Sequence, residues 1–591
     1  MGSMKPSWSE VATRRRHEIE SAIPSEWLVP RHLLQKARTT MTALALSRVS
    51  GILTAWELEV TEMRAVDILA ALHARKFSSF DVTMAFCKRA AVAHQATNCV
   101  AEFLFQDALE QAKQLDEYMR VNGRPKGMLH GLPISVKEHV FVHGTRATSG
   151  IIAWADQISP CDALIVQTFR EQGAVFHVKT TNPQTLMAIE TESNLFGRTL
   201  NPYNPNLTCG GSTGGEGALI AMGGSVLGIG TDIGGSIRVP SAFCGIYGLK
   251  PSVGRLPHSG LCGLHDGMQN VIGAVGPLAR CLEDIELFCS AALVNRPWDR
   301  EPSMIEMPWK KEVQTSTKLK FGVIWNDGLV RPHPPVANAL QEVVSNLRSS
   351  GHIVVDWDAG LHEALTKAVN EAYFLDGGKE YWEALDASGE PPVPMLEWIL
   401  KTHGGRSYTV EETWKLNAQV DLLRTMYARQ WNAVGIDAII CPASPTMASV
   451  HGESRYWGYT SVWNALDYSA AVIPYRTIRA SDKRDDSGEN PASLSATDDW
   501  FRGLYGTQGS ARYAKAPVGI QVVTRRLQEE KLLQIVARVE SSLVSAANGI
   551  DVGVASEAHS AEADFATQRS PREDSSLYKI AASDHVMAVA A

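Results

Sequence analysis

Residues 208–252 read TCGGSTGGEGALIAMGGSVLGIGTDIGGSIRVPSAFCGIYGLKPS, and eleven glycines fall in this stretch before Ser236. Glycine at such density costs folding entropy and is kept where backbone must bend sharply or approach a ligand closely. A flexible linker has no use for the apolar runs ALIAM, SVLGIG and IRVPSAF interleaved here, so the stretch reads as buried backbone. A phosphate loop is excluded, because no Lys follows these glycines in the GxxxxGK[ST] pattern. Residues 210–214 literally satisfy the GxSxG nucleophile elbow, which requires a strand directly before it. The preceding NPYNPNLTC, with Pro202 and Pro205, is loop chemistry instead.

The arrangement suits attack on a carbonyl. Ser236 follows Ile233, Gly234 and Gly235, and successive backbone N–H groups at such a turn can converge on a developing oxyanion. A serine hydroxyl needs a base, and no His lies within the segment. The best base in the chain is Lys137, which ends the apolar run 133–136, where desolvation would lower its pKa. Spacing alone favours the plainer alternative, a snorkelling lysine or one paired with Glu138. Asp232 and Arg238 flank the serine with opposite charges and read as structural, fixing the turn by hydrogen bonds. Cys209 and Cys244 read as ordinary buried residues.

Outward from this segment the chain alternates helices with short β-rich runs. Helices are expected over 61–75, over 81–94 with Ser79 or Asp81 as cap, over 162–173 and over 335–350. Strands are expected at 131–140, 174–179, 319–325, 352–357 and 437–441. That rhythm predicts an α/β fold with a central mixed sheet covered by helices on both sides. Residues 1–60 read as a helical lead-in, 61–545 as the main domain and 546–591 as a disordered tail; 480–499 reads as a solvated surface loop.

Composition narrows the function. The 591 residues carry a formal net charge of -8, without the basic stripe that nucleic acid requires. Nine scattered cysteines, with no CxxC pair, favour reduced thiols over disulfides or zinc. The N-terminus lacks the apolar core of a signal peptide, and the longest weakly polar run, 217–231, is too short for a membrane span of about 20 residues. A cytoplasmic location is expected, and a homodimer is compatible with the sequence.

With the glycine-rich segment, the pieces LHGLPISVKEH, GTRATSG, KTTNPQ, GLKPSVGRLPHSG and APVGIQ occur in order, and by them residues 60–545 resemble the amidase signature hydrolases. The likeness within the family is to fungal acetamidase or general amidase types and to fatty acid amide hydrolase-like members. The resemblance implies a Ser-cisSer-Lys triad: Ser236 as nucleophile, Ser212 as the bridging serine after a cis peptide bond from Gly211, and Lys137 as base. It implies oxyanion donors at Ile233, Gly234, Gly235 and Ser236, a small-molecule amide substrate, and no metal or organic cofactor. Thr213 and Cys209 depart from the family's usual serine and proline without removing a triad member. Two other readings stay open: a glutamine-hydrolysing amidotransferase A-type subunit, and a non-catalytic ligand-binding descendant. The substrate pocket is expected from loops between residues 370 and 475, with Trp457, Tyr459 and Trp463 as candidate walls.

Overall fold

The computed structural model describes residues 6–547 apart from 312, 314, 480, 483–491 and 507, with side chains described to residue 543. The expected tail, 546–591, lies outside these residues except for the last two positions of the helix Glu529–Ala547. Among the described residues the strands are β1 (Val100–Phe103), β2 (Pro133–Lys137), β3 (Val175–Thr180), β4 (Glu192–Ser193), β5 (Gly197–Arg198), β6 (Leu227–Asp232), β7 (Tyr247–Lys250), β8 (Ala274–Ala279), β9 (Lys320–Val323), β10 (Ile353–Asp356), β11 (Ala438–Pro442), β12 (Ala470–Thr477) and β13 (Pro517–Val523). Eleven of them form one sheet in the order β1-β3-β2-β6-β8-β7-β12-β13-β11-β9-β10, and β4 pairs with β5 alone.

The sheet is mixed, as the alternation predicts. β2 runs parallel to β3 and β6, and β9 runs parallel to β10 and β11, while the pairs between these two groups are antiparallel. Helices Ser79–Thr97, Gly214–Ala221 and Arg238–Cys244 pack on one another and on the sheet. Helices Ala65–His73, Leu164–Glu171 and Leu282–Ala292 form a second such group, joined by the edge-to-face contact of Phe169 with Phe288. Covered on both faces, β2 and β6 are buried at every position. Gly228 of β6 is needed for this closeness, since a Cβ there would fall 2.2 Å from the Glu216 carboxylate of the helix above.

Three local expectations are corrected. The helix expected over 61–75 is two helices, Ala55–Glu62 and Ala65–His73, broken at Met63 and Arg64 in extended conformation. The break is made by Asp284, whose carboxylate accepts the Ala65 and Val66 N–H groups at 2.9 and 3.1 Å, a cap supplied from over 200 residues away. The next helix starts at Ser79, and its cap is Ser78, which accepts the Asp81 N–H at 3.0 Å. The surface loop expected over 480–499 contains two buried carboxylates. Asp482 is paired with Arg476 and Asp498 with Arg331, and the helix Ala496–Tyr505 begins inside it; residues 480 and 483–491 are outside the described set.

The lead-in is helical, with Trp8–Ser21 opened by a capping box at Ser7 and Glu10. It is docked on the sheet by Arg15, which donates to the Ala101 carbonyl of β1 at 3.1 Å. Among the described residues, no helix is long and apolar enough to cross a membrane.

Candidate active site

Lys137 is the last residue of β2, and Thr231 and Asp232 end the neighbouring parallel strand β6. The carboxyl ends of adjacent parallel strands open on the same edge of the sheet, where α/β proteins commonly bind ligands. Lys137 is fully buried, and its Nζ lies 2.7 Å from Ser212 Oγ and 2.9 Å from Thr231 Oγ1. Burial lowers its pKa to about 7, against the opposing pull of Asp232, Glu216 and Glu138. The alternative partner, Glu138, is turned elsewhere: its carboxylate accepts the N–H groups of Thr148 and Ser149 at 2.6 and 3.0 Å.

Ser212 follows a cis peptide bond from Gly211. The Thr213 N–H donates to the Ser236 carbonyl at 3.1 Å, tying the two serine segments together. Ser212, Ser236, Thr231, Ile233 and His139 open into one cavity of about 610 Å³. A smaller apolar recess on another side of Ser236 is walled by Met187, Ile189, Ile399 and Trp457.

The turn between β6 and Ser236 is held by a buried ion pair. Asp232 accepts the Gly235 N–H at 2.8 Å and the Ile237 N–H at 3.0 Å, and pairs with Arg238 at 2.9 Å. Arg238 also donates to the Thr460 carbonyl, Gln521 and Asn464 at 2.8, 2.9 and 2.6 Å. Burial alone would raise the pKa of the Asp232 carboxyl, and the Arg238 guanidinium outweighs that effect, holding it well below the usual carboxylate range. Both residues thus play the structural part expected of them. Asp232→Ala would leave a buried guanidinium uncompensated, so the urea unfolding midpoint should fall by an amount equivalent to about 3–5 kcal/mol. An unchanged midpoint would contradict this account.

The same turn sorts the expected oxyanion donors. The Ile233 carbonyl accepts from the Tyr373 hydroxyl at 2.7 Å and the Gly234 carbonyl from Thr460 Oγ1 at 2.6 Å. In a trans peptide the N–H opposes the C=O, so the Gly234 N–H faces away from Tyr373 and the Gly235 N–H away from Thr460. Among the described residues, no protein acceptor takes the N–H groups of Ile233, Gly234 or Ser236, whereas that of Gly235 is engaged by Asp232. Gly235 has φ near 140°, a backbone state L side chains rarely adopt, and a Cβ there would meet Thr460 Oγ1 at 2.4 Å.

The pocket departs from expectation. The loop 252–275 supplies most of its lining, with Leu186 and Met187, and only Tyr373 and Tyr381 come from residues 370–475. Of the three candidate aromatic walls, Trp457 reaches the recess beside Ser236. Tyr459 and Trp463 are core residues, the Tyr459 hydroxyl bonded to the Val330 carbonyl and the Trp463 indole to the Tyr459 carbonyl. Sequence reasoning also missed Thr231 and His139, although both lie within five residues of a candidate catalytic residue. At the rim, His265 Nε2 lies 3.2 Å from Asp376 and 3.6 Å from Glu380, the one grouping among the described residues close enough to share a metal ion. Cys209 and Cys244 are buried, and burial raises both thiol pKa values.

The family model described as Amidase matches residues 81–533. An acetamidase of Aspergillus oryzae is 38% identical over 542 residues, covering 90% of this chain and 97% of that protein. An acetamidase of Emericella nidulans is 39% identical over 550 residues, covering 91% and 98%. The solved structure of a fatty acid amide hydrolase matches with a TM-score of 0.86 at 31% identity, covering 91% of this chain and 95% of that one. On the family match and the extent of these similarities, the chain belongs to the amidase signature family of hydrolases.

Proposed function

We propose that this protein hydrolyses linear carboxylic amides to acid and amine or ammonia through a serine acyl-enzyme. The observation that carries the reading is the buried contact of Lys137 Nζ with Ser212 Oγ at 2.7 Å, Ser212 and Ser236 both opening into one cavity. A lysine with its pKa near 7 is substantially neutral at physiological pH and can accept a proton. Lys137 takes the Ser212 proton, Ser212 takes that of Ser236, and Ser236 Oγ attacks the amide carbonyl carbon.

The carbonyl oxygen then carries negative charge, and the N–H groups of Ile233, Gly234 and Ser236, which have no protein acceptor, are the donors available to it. Collapse of the tetrahedral species breaks the C–N bond, and the proton held by Lys137 returns through Ser212 to the leaving nitrogen. Water, deprotonated by the same relay, hydrolyses the ester and regenerates Ser236. No step draws on a metal or organic cofactor. In this reading residues 61–545 form the catalytic domain and 1–60 its lead-in.

The relatives named acetamidase support small linear amides as the substrate class. The purified chain alone should release free acid and ammonia from primary amides across a series of acyl lengths, measured by ammonia production. Activity confined to glutamine, and only with added partner subunits, would overturn the proposal in favour of an amidotransferase subunit.

A further inference from the structure

His139 lies two residues beyond Lys137 and has no part in the relay described above. It is buried, only 4% exposed, where the end of β2, the end of β6 and the cavity loop meet. Its Nδ1 is 2.8 Å from the Cys262 carbonyl oxygen, and its Nε2 is 3.0 Å from Thr231 Oγ1. The Thr231 oxygen is in turn 2.9 Å from Lys137 Nζ.

These contacts dictate a direction. A carbonyl only accepts, so Nδ1 carries the ring proton toward Cys262. Burial keeps the ring neutral, so Nε2 presents a lone pair. That lone pair takes the Thr231 hydroxyl proton, and the Thr231 oxygen in turn accepts an N–H from Lys137. A neutral amine has two N–H bonds and one lone pair. With an N–H committed to Thr231, the lone pair is left for Ser212 Oγ at 2.7 Å. Without an acceptor at Nε2, the Thr231 hydroxyl is free to turn and donate to the amine, occupying the lone pair that Ser212 needs.

We infer that His139 is a positioning residue: through Thr231 it sets the direction of the hydrogen bonds around Lys137 so that the amine lone pair faces Ser212. The inference rests on the reading of Lys137 as the base. It also links the base to the cavity wall, because the Cys262 N–H donates to the His139 carbonyl at 2.8 Å and Ser149 Oγ donates to the Cys262 carbonyl at 2.9 Å. The titratable groups facing this hydrogen-bond chain are Asp232, Glu216 and Glu138 around Lys137, and His258 and Lys179 with Lys137 around His139.

The test follows the rate at which a fluorophosphonate labels Ser236 as a function of pH. His139→Asn keeps a donor toward Cys262 and removes the acceptor at Nε2, whereas His139→Gln offers a carbonyl oxygen near that position. His139→Asn should lower the plateau rate at least tenfold and move the acid limb to lower pH, since a hydroxyl donating to the amine favours its neutral form. His139→Gln should recover most of the rate and restore the limb. In a Thr231→Val background, adding His139→Asn should change the rate less than twofold. Should His139→Asn not fold, Thr231→Val against Thr231→Ser reads the same step, with only the serine keeping the limb at the parent's pH. Equal loss in His139→Asn and His139→Gln, or a full further loss on top of Thr231→Val, would overturn the inference. Lys137→Ala and Ser236→Ala are run in parallel: if they leave labelling intact the base and nucleophile assignments fall, and if they abolish it only the role of His139 is at stake.

Discussion

Ser236→Ala is expected to cut amide turnover by on the order of 10⁴-fold or more while leaving the melting temperature within a few degrees of the parent. The size of the effect follows from the proposed covalent route: without Oγ no acyl-enzyme forms, and what is left is the assistance that water receives from the backbone donors. Ser236 Oγ carries no hydrogen bond among the described residues, and its backbone carbonyl is what ties it to Thr213, so removing the hydroxyl costs the fold little. The check is steady-state hydrolysis alongside thermal melting. Turnover close to that of the parent would sink the assignment of Ser236, and the acyl-enzyme route with it.

Lys137→Ala should produce the second largest loss, about 10²–10⁴-fold near neutral pH, the range for removing a positioned general base. Its distinguishing mark is the pH profile. In the parent, Lys137 with a pKa of about 7 loses its proton as pH rises through that value, so kcat/KM should climb through pH 7 and level off above it. The variant lacks that inflection and should gain rate with hydroxide concentration, narrowing its deficit at high pH. The sign follows from the base being active in its deprotonated form: raising pH recruits it, and lowering pH disables it. A variant that keeps the inflection near pH 7 would show that another group is the base. Asp232, held ionised beside Arg238, stays charged across this range and supplies no competing inflection.

The residues that mattered most differ in how visible they were along the chain. The strands at 133–137, 175–180 and 320–323 were legible, because runs such as PISV and FGVIW keep their apolar and β-branched content wherever they are placed, whereas the glycine-rich LGIGTD of β6 gave no such signal. The break at Met63 and Arg64 was invisible, because the cap that makes it belongs to Asp284. The same holds for the pocket. Aromatic residues at 457, 459 and 463 look alike on paper, yet only Trp457 borders Ser236, because the helix Gly458–Ala465 turns the other two into the core.

By itself the sequence determined the α/β class and the buried nature of the glycine-rich segment 208–252, and its ordered family motifs singled out Lys137, Ser212 and Ser236 as candidates, since backbone demand and motif order are properties of contiguous chain. Only the tertiary structure decided what those residues are to one another. Lys137 could have paired with Glu138; its partners are Ser212 and Thr231, because parallel pairing of β2 with β6 brings the two strand ends together. The Gly235 N–H could have faced the cavity; it faces Asp232, because Thr460, from a helix more than 220 residues downstream, holds the preceding carbonyl the other way. The physical reason is common to these cases: hydrogen-bond direction and desolvation are set by what surrounds a group in space, and at this site the surroundings come from segments far apart in the chain.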